Sequence, residues 1–161
     1  MRPNIISGEV TQAVSPYKTP PEKVVAFLEA NHVAGLAMLH PDGNVWASNC
    51  FYVYDPGMAS LIILTSGKTR HYEAIRFRSA IAGTIAGQVR EIRAIQGVQF
   101  AACAYEPEGE ARSSALRLYY TKFPLARLFP AEVWCLRLET LKFTDNSFMF
   151  AHKTAWSRGE D

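Results

Sequence analysis

Within the twelve residues LTSGKTRHYEAI (64–75), the hydroxyls of Thr65, Ser66 and Thr69 stand beside the cations Lys68, Arg70 and His71, around Gly67. Hydroxyl donors and cations grouped at a glycine turn are the groups that bind an oxyanion, above all a phosphate ester. If Thr65 or Ser66 caps a helix that follows, free backbone N–H groups and the positive end of its dipole face the same point. Each charge-assisted hydrogen bond to a phosphate is worth roughly 1.5–3 kcal/mol. A solvated basic helix start would use the same residues, and composition alone does not separate the two readings. Gly67-Lys68-Thr69 is not a P-loop, because that motif needs a glycine five residues before Gly67, where the chain has Ile62.

No Ser–His–Asp, Cys–His or paired-carboxylate arrangement can be placed from spacing, so any chemistry here falls to a cofactor. Cys50, Cys103 and Cys135 lie far apart without a CxxC pair and read as reduced thiols. His32, His40 and His152 lack metal-ligand spacing, so no metal is expected. The 17 Lys and Arg against 15 Asp and Glu leave a formal charge of +2, which argues against nucleic acid or a membrane surface as partner. Arg76, Arg78, Arg90 and Arg93 read as solvated charges. There is no signal-peptide core and no apolar run near the ~20 residues that span a bilayer, so a cytoplasmic protein is expected.

The elements that must position the cluster come from periodicity and turn residues. With 161 residues, 48% of them apolar and 20% charged, the chain reads as one globular domain over 19–156, between an N-terminal arm at 1–18 and a tail at 157–161. Thr19-Pro20-Pro21-Glu22 predicts a helix start, with Thr19 as cap and Glu22 completing a capping box, running to near Asn31. Strands are predicted from Gly35 to Leu39, over 45–54 and from Ala59 to Thr65, joined at His40–Asn44 and Asp55–Gly57. Loop Ser66-Gly67 and a short helix to about Arg78 follow. The small residues of 79–87 suit a strand closely approached by another backbone or by a flat ligand. A long strand over 91–105, bent at Gly97, precedes helical segments over 107–129 broken at Pro124. Two last strands, 132–138 and 141–150, turn at Asp145-Asn146. Hairpins in succession with inserted helices predict an antiparallel barrel of the α+β class.

The apolar strand ending in Thr65, the hydroxyl–cation turn, and the small-residue strand leading into one with Gly97 occur in a telling order. With NCFYVYD (49–55), ILTSGKTRH (63–71), AGTIAGQ (82–88), IQGVQF (95–100) and KFPLARLFPAEVWCLRLETLKFTDN (122–146), the chain resembles the pyridoxamine-phosphate-oxidase-like family of FMN-binding split barrels, and within it a small bacterial branch. The resemblance covers about residues 21 to 156. It implies a mainly-β α+β fold, a six- to seven-stranded antiparallel split barrel with flanking helices, binding FMN at the interface of a homodimer.

Residue by residue, the resemblance sets Thr69, Arg70 and His71 on the positions that grip the FMN phosphate, with Thr65, Ser66 and Lys68 beside them. His71 stands where a lysine or arginine is common, so its charge near neutral pH is conditional. Ser48, Asn49, Cys50 and Phe51 fall on the strand that passes the isoalloxazine edge. There Asn49 either bonds the flavin or is satisfied by backbone, and Cys50 reads as a packing residue. A glutamine contact to the flavin falls to Gln88 or Gln96. Trp46, Tyr52, Tyr54, Trp134 and Trp156 read as core or dimer-interface aromatics. The implied activity is an oxidoreductase passing electrons from a nicotinamide cofactor or other reductant to a small acceptor. The alternative is a non-catalytic FMN- or haem-binding module. The segment HKTAWSRGED does not match the substrate-binding end of pyridoxamine-phosphate oxidase itself, which argues against that particular activity.

Overall fold

In a computed structural model, the described residues are 17–147 and 149–159. Strands β1 (Val33–Leu39), β2 (Val45–Asp55), β3 (Ser60–Thr65), β4 (Ala80–Ala86), β5 (Gln96–Tyr105), β6 (Glu132–Asp145) and β7 (His152–Ser157) form one antiparallel sheet in the order β3-β2-β1-β4-β5-β6-β7. A further pairing of β3 with β6 closes the first six strands into a barrel and leaves β7 as an extra strand on β6. The helices are α1 (Glu22–Ala30), α2 (Arg70–Phe77) and α3 (Gly109–Lys122). The mainly-β α+β split barrel read from the sequence is the fold observed.

Inward-facing Leu36, Tyr52, Leu61, Ile63, Leu136, Leu138 and Phe143 fill the barrel, each almost fully buried. Helix α1 joins this core through Val24, Phe27 and Leu28, and the Tyr52 hydroxyl donates to Leu28 O at 2.8 Å. Helix α3 builds a second cluster, in which Ala115 and Tyr119 pack on Val53, Ile62, Val133 and Cys135. All three cysteines are free. No helix among the described residues is long and apolar enough to cross a membrane.

Several local expectations need correction. Helix α1 has no side-chain cap: extended Pro21 occupies the N-cap position, and its carbonyl accepts the N–H groups of Val24 at 2.8 Å and Val25 at 3.1 Å. The two prolines place Thr19 too far upstream to reach the first turn. The chain after β4 does not go straight into a long strand from Glu91 but makes a 3₁₀ turn at Ile92–Ala94 before β5. The expected break after Leu138 is a bulge instead: Ala101 faces Thr140 and Ala102 faces Leu138, leaving Glu139 over, so β6 bends and continues to Asp145. The last strand is β7 rather than 141–150. The helical region did break at Pro124, into α3 and a 3₁₀ segment at Pro124–Leu128.

Residues 1–16 of the expected N-terminal arm lie outside the described residues. Tyr17 and Lys18 pack on the barrel, with the Tyr17 hydroxyl donating to Pro56 O at 3.3 Å and Lys18 O accepting from Trp156 Nε1 at 2.9 Å. Beyond residue 156 the chain stays tied to the sheet. Arg158 Nε donates to Leu138 O at 2.6 Å, and its Nη2 donates to the carbonyls of Met58 and Ala59, each at 2.8 Å.

Candidate functional site

The β2–β3 ladder runs only from Asp55↔Ser60 to Tyr52↔Ile63. Beyond that pair β3 stays on β6 through Thr65↔Glu132, while β2 stays on β1 through Val45↔Leu39. The strands therefore part beside Cys50 and Thr65, and Val45–Phe51 is laddered on the β1 side alone among the described residues. Tyr119 on α3 reaches this stretch, donating its hydroxyl to Phe51 O at 3.5 Å. A strand edge of this kind leaves backbone donors and acceptors for something other than a strand.

The hydroxyl–cation turn closes the other side of the split. Thr69, not Thr65 or Ser66, caps α2: its Oγ1 accepts Tyr72 N–H at 3.3 Å. Thr65 cannot cap because it is still the last strand residue, and Ser66 lies one turn early. Thr69 Oγ1 also donates to Ser66 O at 2.8 Å. Thr65 Oγ1 lies 3.0 Å from Thr69 Oγ1 and 2.6 Å from His71 Nε2, so the two threonines and His71 meet at one point. Partial burial pushes the His71 pKa below the ordinary imidazole range, and it stands there as a neutral hydrogen-bonding ring at pH 7.

The charges at this corner are internally matched, a feature the sequence reading missed. Arg70 donates to Asp42 in the β1–β2 turn, and its guanidinium lies 4.8 Å over the Trp46 ring. Buried His40 has Nε2 3.0 Å from Glu73 Oε2 and Nδ1 3.0 Å from Asp42 Oδ1. The Asn44 N–H, then His40 and Arg70, hold the Asp42 carboxyl down at about 2. Lys68 is exposed, and its backbone N–H faces Ser66 Oγ at 3.4 Å. Arg70 is thus paired with Asp42, and Glu73 with His40. The HPDGN turn signal announced Asp42 as a turn residue, but nothing local pointed to partners 28 or more residues away.

The residues expected along the flavin ring divide between the two faces of β2. Cys50 points inward and is buried, its thiol pKa raised by that burial, 3.9 Å from Ser48 Oγ. Asn49 points outward, where two cross-strand rows cover β1, β2, β4 and β5. One row is alanine throughout: Ala47, Ala37, Ala82 and Ala101. Its neighbour runs Asn49, Gly35, Thr84, Gln99. Both rows are open to solvent and, Ala101 apart, line a shallow concavity of about 540 Å³ together with Ser48. The small residues of β4 have a packing cause at Gly83, where a Cβ would sit 2.3 Å from Phe100 Cζ and 2.8 Å from Gly35 O.

An adjoining groove of about 440 Å³ is lined by Asn31, His32, Asn49, Thr84 and Gln88. The two candidate glutamines thus separate: Gln88 faces this groove, whereas Gln96 lies opposite Asp145 on the β5–β6 ladder. Phe51 is exposed and stacks on His32 at 5.9 Å, with Phe123 edge-on at 5.6 Å. The site residues expected from sequence therefore occupy a turn, a strand edge and an outer face rather than one pocket.

No protein-family model matches the chain. Its sequence is 39% identical over 140 residues to a UPF0306 protein of Haemophilus ducreyi, covering 86% of this chain and 95% of that one. In structure it is similar to a heme binding protein from Mycobacterium smegmatis, with TM-score 0.71 and 20% identity, covering 86% of this chain and 58% of the other. An FAD-binding protein from Mesorhizobium loti matches with TM-score 0.63 and 14% identity over 84% of this chain and 93% of its own. A proposed pyridoxamine 5′-phosphate oxidase from Listeria innocua matches with TM-score 0.60 and 17% identity over 76% of this chain and 95% of its own. These likenesses place the fold among pyridoxamine-phosphate-oxidase-like split barrels.

Proposed function

The chain belongs to the UPF0306 family, and from that premise we propose that it is an FMN-binding flavoprotein, an oxidoreductase passing electrons from a nicotinamide cofactor or another reductant to a small acceptor. The observation that carries this reading is the split itself: an unladdered edge of β2 faces a turn rich in hydroxyls and cations, joined to it by Arg70 over Trp46. The donor set fits a phosphate ester attached to a planar ring. Thr65, Ser66, Lys68, Thr69 and Arg70 would hold the phosphate. The β2 main chain, Ser48 and Asn49 would hold the ring, and Gln88 would reach it from the groove. Bound FMN would supply one- and two-electron chemistry.

The chain's own residues would bind and orient FMN. Thr69 fixes the start of α2 and keeps the turn's hydroxyls in register. His71, neutral at pH 7, exchanges a hydrogen bond with Thr65 and adds no charge. Buried Cys50 packs and takes no redox part. The bare alanine row supports a homodimer, since a second copy seated there would cover apolar surface that one copy leaves in water.

A visible absorption spectrum of the protein as isolated tests the reading. Flavin bands, with FMN released on denaturation and bleaching on addition of NADH or NADPH, are the expected result. Protein that stays colourless, and does not quench added FMN, overturns it. A second reading, a barrel that holds FMN or haem without turnover, is favoured by His32, an exposed imidazole among Phe51 and Phe123. A Soret band in the same spectrum would select haem.

A further inference from the structure

Of Lys68 and Arg70 at the split, Arg70 alone is held by a carboxylate among the described residues. The contact is built rather than casual. Asp42 Oδ1 accepts Asn44 N–H at 2.9 Å, which fixes the carboxylate in the β1–β2 turn, and the other oxygen takes the guanidinium. Trp46 supports Arg70 from below, at 4.8 Å. A second tie, from His40 to Glu73 at 3.0 Å, fastens the same turn to the same helix one turn further along. An anion that uses Arg70 has to displace Asp42 and then sit near its charge. A phosphate monoester, with up to two negative charges, exceeds Asp42 as a partner, whereas a singly charged ligand only equals it.

We propose that Asp42 is a built-in competitor for Arg70, which sets the affinity of the split for phosphate-bearing ligands and biases it toward phosphate monoesters. The ligand's identity rests on the FMN reading above; the competition rests on the contacts of Asp42 and Arg70. Asp42→Asn tests it, since the amide keeps the volume and the acceptor for Asn44 N–H while removing the charge. Asp42→Ser, whose hydroxyl can take the same turn bond, serves as a second neutral variant should the first misfold.

Two titrations decide. FMN and riboflavin affinities are measured by flavin fluorescence, and inorganic phosphate is titrated while the Arg70 Nε–Hε resonance is followed by NMR. Removing an exposed ion pair and its repulsion should tighten FMN roughly fivefold or more. Riboflavin, which lacks the phosphate, should bind the variant and wild type alike. Inorganic phosphate should move the Arg70 resonance at a correspondingly lower concentration in the variant. FMN affinity that is unchanged or weaker in a folded variant overturns the proposal. If neither flavin binds either protein, the FMN reading falls, and the phosphate titration still decides: a lower midpoint in the variant sustains the competition, and equal midpoints overturn it.

Discussion

Thr69→Ala is the substitution from which most can be read. Thr69 Oγ1 makes two backbone bonds, accepting Tyr72 N–H at 3.3 Å as the α2 cap and donating to Ser66 O at 2.8 Å. Losing an N-cap costs about 1 kcal/mol, and losing a further hydrogen bond costs about another 1 kcal/mol. Thr65 and His71 keep each other at 2.6 Å, so nothing larger follows from their side. The expected loss is therefore about 2 kcal/mol, or a fall of roughly 4–8 °C in Tm for a chain of this size. Urea unfolding followed by far-UV circular dichroism measures the first, and calorimetry the second. Thr69→Ser, which keeps the oxygen, should recover nearly all of it. A Thr69→Ala protein within about 0.5 kcal/mol of wild type, or a Thr69→Ser protein as damaged as the alanine variant, would refute the assignment of Thr69 as the residue that organises this turn.

Other outcomes follow from the same geometry. The double variant Lys68→Ala with Arg70→Ala should weaken FMN at least about tenfold in a fluorescence titration, with an unaltered circular dichroism spectrum because both side chains are exposed. His71 has a lowered pKa in the fold, so the unfolded chain binds more protons in mild acid. Its contribution is complete above the ordinary imidazole pKa of about 6.5 and is lost as pH falls through the lower folded value. His71→Gln should flatten the acid limb of a stability–pH curve relative to wild type, and parallel curves would show that burial of the ring is without consequence. Gly83→Ala should destabilise by about 1–3 kcal/mol through overpacking against Phe100 and the Gly35 carbonyl, read as a lower urea midpoint with no change in m.

The fold was legible because its signals are local. The turn residues at His40–Asn44 and Asp55–Gly57, and the apolar runs between them, mark hairpins without any knowledge of distant partners. The hydroxyls of the candidate turn were legible for the same reason. The capping residue was not, because whether Thr65 ends a strand or starts a helix depends on Glu132, which pairs with it from across the barrel. The continuity of β6 was hidden because Glu139-Thr140 reads as a break, whereas a neighbouring strand can absorb one extra residue as a bulge. The matched charges at Arg70 were out of reach in principle: a cation's availability depends on tertiary neighbours, and Asp42 is brought to it by the return of β2 and the docking of α2.

The pairing of β3 with β6 joins segments from opposite halves of the chain, and every other ladder links elements closer in sequence. Zipping that seam is thus the longest-range step of folding, of the kind that slows β-rich domains. Thr65 is a seam residue, paired with Glu132, so the corner it helps form is tied directly to the closure of the cylinder. Any small molecule gripping that corner acts as a clasp on the shut cylinder, resisting its opening by about 2.7 kcal/mol at a hundredfold excess over Kd. Protection of the β3 and β6 amides against hydrogen exchange, more than that of β4, would then rise with occupancy.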